Sequence, residues 1–424
     1  MTDVLIIGAG AAGLSAARVL SNAGKSILIL EARDRIGGRI HTIKGDGFSF
    51  PVDAGAEFIH GELPHTKALM KEAGVPYFAG AGRTWNIKGN RLSEGDLFDD
   101  SWNELIEKLQ VLKEDMTIGQ FLNLHFDEAK YVPLRDAVKK FVEGYDAADV
   151  SKASALALKK EWSNENIEGY RPTGGYSQLM DFLLSETLHY KGQWVAAAMV
   201  KRIVWKKNDV EVITDKNQKF KARKILITIP VPVLKSGMIE FDPPLTREFK
   251  ALHDIEVGGV IKFLVEFRDR IWESGAGVRH MPGLNFLFSD AQVPTWWTQN
   301  PNKIPLLTGW LAGPVVDKSP MDDEELLRIA FQSLCYLFDA TEKQIKKEVR
   351  AIKIINWHAD PFSMGAYAYS TLKTVAAIDT LSRPVEDTVY FAGEALYKGA
   401  EMGTVEAALA SGNDTAAKII RTIG

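Results

Sequence analysis

The chain opens on an uninterrupted apolar run, Val4-Leu5-Ile6-Ile7, the pattern of a parallel strand buried on both faces. An alanine-rich stretch with helical periodicity follows, from about Ala11 to Ala23, and Gly24 stands where a helix can end. Ser26–Leu30 reads as a second strand and closes on Glu31. Residues 100–190 hold few glycines and many Leu, Glu and Lys, which predicts helices. Three later runs, Val260–Phe267, Asn285–Phe288 and Leu306–Leu311, are rich in β-branched, leucine and aromatic residues and predict strands. Asp322–Phe338 followed by Ala351–Ile355 predicts a helix and then a strand. No internal repeat or low-complexity linker breaks the sequence.

Between the first strand and helix lies Gly8-Ala9-Gly10-Ala11-Ala12-Gly13. Gly8 permits the tight turn, Gly10 lets backbone approach a pyrophosphate, and Gly13 lets the helix pack on the sheet. The helix then turns free N–H groups and a positive dipole end toward the phosphates. Glu31 lies 18 residues after Gly13, where a carboxylate takes both ribose hydroxyls of an adenosine and repels a 2′-phosphate. Strand, glycines, helix, strand and acid together predict a dinucleotide site.

Ala32-Arg33-Asp34-Arg35-Ile36-Gly37-Gly38-Arg39 comes next. An NAD site has no use for a second glycine pair with arginines here. FAD is longer and needs a second stretch of backbone across its pyrophosphate and ribityl chain. Gly37-Gly38 allow that approach, and Arg39 is suited to pair with the pyrophosphate.

Composition narrows the class. At 424 residues the chain has room for two domains of roughly 100–200 residues each. Its net charge of −4 argues against a nucleic-acid-coating surface. Cys335, the single cysteine, allows neither an intrachain disulfide nor a cysteine-rich metal site, and its apolar setting suggests a core residue. No leader-like segment and no apolar run of roughly 20 residues is present, so the expectation is a cytoplasmic protein with no membrane span.

The glycine-glycine-arginine segment resembles that of the flavin-containing amine oxidases, a family that includes monoamine oxidases, polyamine oxidases and flavin lysine demethylases. Phytoene desaturases and protoporphyrinogen oxidases share this N-terminal part. Later segments also resemble the amine oxidases, in the right order along nearly the whole chain. They are Val52–Gly61, Arg171–Tyr176, Val200 with Ile203, Thr228–Leu234, Gly258–Phe267, Tyr390–Glu394 and Gly403–Glu406. The closest likeness in motif is to the non-covalent polyamine oxidases. The resemblance implies an α/β fold with a discontinuous Rossmann-type FAD-binding domain (residues 1–75, 190–240 and 375–424). An α+β substrate-binding domain would take residues 76–189 and 241–374. The last helix would start near Thr404, with its positive end toward the flavin ring. Residues implied to contact FAD are Gly8, Gly10, Ala12, Gly13, Glu31, Ala32, Arg33, Gly38, Arg39, Gly55, Ala56, Glu57, Phe58, Val200, Trp357, Gly393, Glu394, Gly403, Thr404 and Val405.

Lys262 lies in an apolar strand pattern, where a lysine is costly without a partner. The resemblance makes it the lysine that holds a water beside flavin N5 and assists reoxidation by O2. Trp357 resembles the tryptophan beside the isoalloxazine, and Tyr367 one wall of the family's aromatic cage, whose faces attract an ammonium. Ala366 stands where mammalian monoamine oxidases carry a flavin-linked cysteine, so the FAD should be non-covalent. Thr404 replaces a second cage tyrosine. L-amino-acid oxidases place a carboxylate-clamping arginine where this chain has Phe58. Glu57 beside it would favour a cationic substrate, and His60 either hydrogen-bonds the amine or is a structural turn histidine. The expected activity is oxidation of a primary or secondary amine, diamine or polyamine favoured, to an imine hydrolysed to an aldehyde. The small-molecule amine and O2 would be the partners, H2O2 a product, and no metal would take part. The alternatives are an L-amino acid substrate, a carbon–carbon desaturation or a non-catalytic flavin-binding or chromatin-associated module.

Overall fold

The computed structural model describes residues 2–95, 101–163, 169–275, 277–318 and 321–423. The opening apolar run becomes the strand Thr2–Ile7, with Val4, Leu5 and Ile6 fully buried. It pairs in parallel with Ile27–Leu30 on one side and Lys219–Ile227 on the other. Burial on both faces is what its lack of polar alternation required. The eight-stranded sheet is completed by Gln193–Val195 at one edge, then Asp209–Thr214, Val200–Lys206 and Glu240–Asp242 at the other, while Val389–Phe391 pairs with Lys219–Ile227.

The helix Ala11–Asn22 packs on this sheet and against the last helix, Val405–Thr422. Small residues permit the approach: a Cβ on Gly412 would stand 2.3 Å from the carbonyl oxygen of Ala12. Thr404 caps the last helix, accepting a hydrogen bond from Ala407 N, which sets its start where the sequence suggested.

A second sheet has seven strands in the order Val349–Asn356, Val260–Phe267, Leu306–Ala312, Thr295–Thr298, Leu284–Ser289, Arg83–Lys88 and Arg91–Glu94. Val260–Phe267 is buried at all eight positions and lies between two antiparallel neighbours, so Lys262 is not on an edge. The helix Asp323–Phe338 covers one face of this sheet through Leu326, Ile329, Leu334 and Leu337. A short helix, Glu342–Glu348, intervenes before the strand Val349–Asn356. A capping box, Thr341 with Gln344, starts this helix.

Residues 101–163 form helices whose shared core includes Leu105, Phe121, Val138 and Leu158. The expectation of helix throughout 100–190 fails at Gly169–Pro172. That segment is a strand because Ile59–His60 and Tyr77–Ala79 flank it and pair with its backbone. Together they form a three-stranded sheet that carries Arg171 into the interior. No described helix is long and apolar enough to cross a membrane.

Candidate active site

A cavity of about 2980 Å³ runs from the Gly8–Gly13 turn to the faces of the second sheet and the helical layer. Small-ligand pockets usually hold roughly 300–1,000 Å³, so this one has room for a dinucleotide and a substrate together.

The turn and the second glycine segment lie side by side: Gly37 N donates to Ala9 O at 2.8 Å. A Cβ on Gly10 would meet only Gly37 O, at 3.9 Å, and would otherwise fill open space over the turn. No side chain caps the first helix, so its leading N–H groups are left for a ligand. Glu31 braces the turn, its Oε2 accepting from Ala9 N at 2.7 Å and its Oε1 from Arg33 N at 2.9 Å. Gly8, Gly10, Ala12, Glu31, Ala32, Arg33, Gly38, Arg39, Gly55, Ala56, Phe58, Val200, Glu394, Gly403, Thr404 and Val405 all reach the cavity wall. Gly13 does not: it packs beneath the turn, where a Cβ would sit 2.0 Å from Gly8 O. Gly393 lines a small neighbouring cleft. The arginines are committed within the protein. Arg33 grips Asp360 at 2.9 and 2.6 Å, and Arg39 pairs with Glu394 at 2.8 Å and donates to Ala366 O.

At the inner end, Lys262 Nζ donates to Glu57 Oε2 at 2.7 Å, Asp53 O at 2.7 Å and Gly55 O at 3.1 Å. Glu57 Oε1 accepts from Arg171 Nε (3.0 Å), Trp297 Nε1 (3.0 Å) and Gln299 Nε2 (2.9 Å). Burial alone would raise the Glu57 carboxyl; Lys262 and Arg171 outweigh it and hold the group at about 2. This corrects one expectation. Glu57 is not a carboxylate offered to a cationic substrate, because both its oxygens and its charge are taken by Lys262 and Arg171. Arg171, Trp297 and Gln299 were not singled out from the sequence. Arg171 opens a family-like segment, but its partner was hidden, since Glu57 and Arg171 meet across 114 residues of chain.

Aromatic rings line the space beyond. Trp297 lies 5.5 Å from Phe58 and 5.7 Å from Trp310, and Trp310 stacks on Tyr367 at 6.4 Å and 19°. On the other side His60 stacks on Phe58 at 5.4 Å and meets the edge of Tyr145 at 5.6 Å. The Tyr367 hydroxyl donates to Tyr145 O and joins the two sides. Burial, with Arg171 adding, pushes His60 down to about 4, so it is neutral near pH 7. Trp357 is buried under the Gly55 turn, its Nε1 donating to Ala54 O at 3.0 Å. Thr404 reaches the wall, but its hydroxyl donates to Glu401 O at 2.6 Å while serving as the helix cap.

A phosphate-sized cradle continuous with a buried lysine and an aromatic wall defines a dinucleotide-dependent oxidoreductase. The family model for flavin containing amine oxidoreductases matches residues 11–140 and 133–420, and the chain belongs to that family. It is 28% identical to polyamine oxidase 2 of Arabidopsis thaliana, covering 100% of this chain and 89% of that protein. It is also 28% identical to lysine-specific histone demethylase 2 of Homo sapiens, over 98% of this chain but 53% of that protein, so it spans about half of that relative. A solved structure of putrescine oxidase bound to putrescine shares the fold at a TM-score of 0.82 and 21% identity, over 99% of both chains. Cyclohexylamine oxidase from Brevibacterium oxydans IH-35A does so at 0.81 and 20%, over 100% of this chain and 99% of the other. The protein is a flavin-dependent amine oxidoreductase with FAD as cofactor, and the glycine cradle fits that group.

The two glycines separate binding from folding. Gly10→Val should fold, with a circular dichroism melt near that of FAD-stripped wild type, yet purify without FAD, because the side chain fills the space over the turn. Gly13→Val should lose thermal stability as well, since its Cβ collides with Gly8 O. A Gly10→Val protein with a normal flavin-to-protein absorbance ratio would remove the turn from the FAD site.

Proposed function

We propose that the enzyme oxidises a primary or secondary amine, a diamine or polyamine in preference, to an imine that water hydrolyses to an aldehyde. When bound, FAD supplies the N5 acceptor for the hydride equivalent leaving the carbon beside nitrogen, and the electron pair then passes to O2 to give H2O2. The carrying observation is the aromatic-walled space joined to the flavin cradle with its nearby arginine already engaged. Arg171 lies under Phe58, 4.3 Å from the ring centroid, with Glu57, Thr298 O and Asn300 O as acceptors. It has no free edge to clamp the carboxylate of an amino acid.

The wall residues bind and dehydrate the substrate. The π faces of Trp297, Trp310 and Tyr367 attract an ammonium yet solvate a neutral amine poorly, which leaves the lone pair of the reacting nitrogen available. His60, neutral near pH 7, is placed on the wall to exchange a hydrogen bond with that nitrogen. Lys262, in the strand Val260–Phe267, spends its three protons on Glu57 and on the Asp53 and Gly55 carbonyls, so the role we assign it in the O2 step is the positive charge it places beneath the Gly55 turn. FAD is held without a covalent bond in this reading. Ala366 lies on the wall with no sulfur to offer, and Cys335 lies in the helix Asp323–Phe338, off the cavity wall.

Two measurements test this. Anaerobic flavin bleaching should be faster with putrescine or spermidine than with a phenylalkylamine, and slowest with L-amino acids. Faster bleaching by any α-amino acid than by every amine would overturn the proposal and leave an amino-acid oxidase. Acid precipitation should release the yellow colour into the supernatant, whereas flavin that sediments with the protein would contradict non-covalent binding.

A further inference from the structure

The cavity carries a second polar cluster that the reading above leaves unused. Asp146 follows Tyr145 just beyond the helix Val132–Gly144, Glu161 lies in the helix Ala155–Trp162, and both line the cavity. The two carboxyl groups lie close enough to perturb each other's titration. Asp146 is only 8% exposed, and its Oδ2 receives no hydrogen bond from any described donor. Among the described residues no lysine, arginine or histidine forms an ion pair with either group. The other titratable groups facing them are Tyr145, Tyr367 and Glu401, none of them a cation. This is the reverse of Glu57, whose charge meets two cations.

We propose that Asp146 and Glu161 form the anchoring site for the non-reacting ammonium of a diamine or polyamine. The inference rests on the amine-oxidase reading and adds to it the residues that set substrate length and charge. Three observations converge on it. The pair is a buried acid cluster with an unmet acceptor, and a cation with N–H donors is the ligand that satisfies both deficits. The pair lies at the end of a continuous aromatic path. Lys262 Nζ is 5.7 Å from the Trp297 centroid, Trp297 meets Trp310, Trp310 stacks on Tyr367, and Tyr367 bonds to the backbone of Tyr145, the residue before Asp146. An apolar chain with a cation at its far end matches such a wall. Finally, burial drives both carboxyls above the usual carboxylate range, with Glu161 adding to the rise of Asp146 and Glu401 to that of Glu161, so without a ligand Asp146 keeps a proton. An arriving ammonium replaces that proton as the neutralising charge, whereas a monoamine with an alkyl tail leaves it in place.

The test compares putrescine with n-butylamine, which differ by the one distal ammonium. Stopped-flow anaerobic reduction of the FAD-loaded enzyme gives an apparent Kd for each, in wild type, Asp146→Asn and Glu161→Gln. Wild type should bind putrescine the tighter, and each variant should erase roughly tenfold or more of that preference. A preference ratio unchanged in both variants would overturn the assignment, as would a wild type that is reduced by both amines without discriminating them. Loss of FAD from both variants would mark the pair as a folding element and also overturn it. Failure of every amine to reduce the wild-type flavin would instead defeat the underlying functional reading.

Discussion

Glu57 is buried between Lys262 and Arg171, and these three side chains are 6%, 1% and 2% exposed. Two cations taken out of water around one anion are tolerable only with complete hydrogen bonding, and breaking such an arrangement costs about 3–5 kcal/mol. Completeness is what the structure supplies: Trp297 and Gln299 fill the remaining acceptor sites of Glu57, and the Asp53 and Gly55 carbonyls take the remaining protons of Lys262. The contacts tie the flavin-facing turn to the strands Val260–Phe267, Gly169–Pro172 and Thr295–Thr298 at once. The turn cannot shift without exposing an unpaired buried charge, so the position of the reacting face follows from this cluster.

The same constraint sets the character of the cavity. With Arg171 and Lys262 both turned onto Glu57 and buried, the inner end presents aromatic faces and a neutral His60 to a substrate. Asp53, beneath the turn, is itself pushed up to about 6 by burial yet is still mostly ionised at neutral pH, so its negative charge offsets the second cation of the cluster. The aromatic path joins the Lys262 cluster to the Asp146–Glu161 pair on the wall of the same cavity.

Much of this was legible in the sequence where residue type alone dictates backbone. Gly8, Gly10 and Gly13 sit where a side chain would collide or intrude, and Val4–Ile7 is apolar because it is covered on both faces. Lys262 stood out because a lone lysine in an apolar strand demands a partner, but the partner lies 205 residues away and no local pattern names it. Glu57 was misjudged for the same reason: a sequence displays a carboxylate but not the two cations that face it. Arg39, expected at the pyrophosphate, reaches the cavity wall, but its bond to Glu394, 355 residues on, was not legible. The strand Gly169–Pro172 was hidden because its pairing strands are remote, and the Asp146–Glu161 pair exists only once two helices are packed together.

The claim that one anion holds two buried cations is tested most directly by a double-mutant cycle on Glu57 and Lys262, read as unfolding free energy in urea. Glu57→Gln should be strongly destabilising because Lys262 and Arg171 are left facing each other uncompensated. Adding Lys262→Met to that background removes one of the two orphaned cations, so the double variant should be more stable than Glu57→Gln alone. If instead the two substitutions destabilise additively, the charges are not coupled as described, and the cluster is not what fixes the turn.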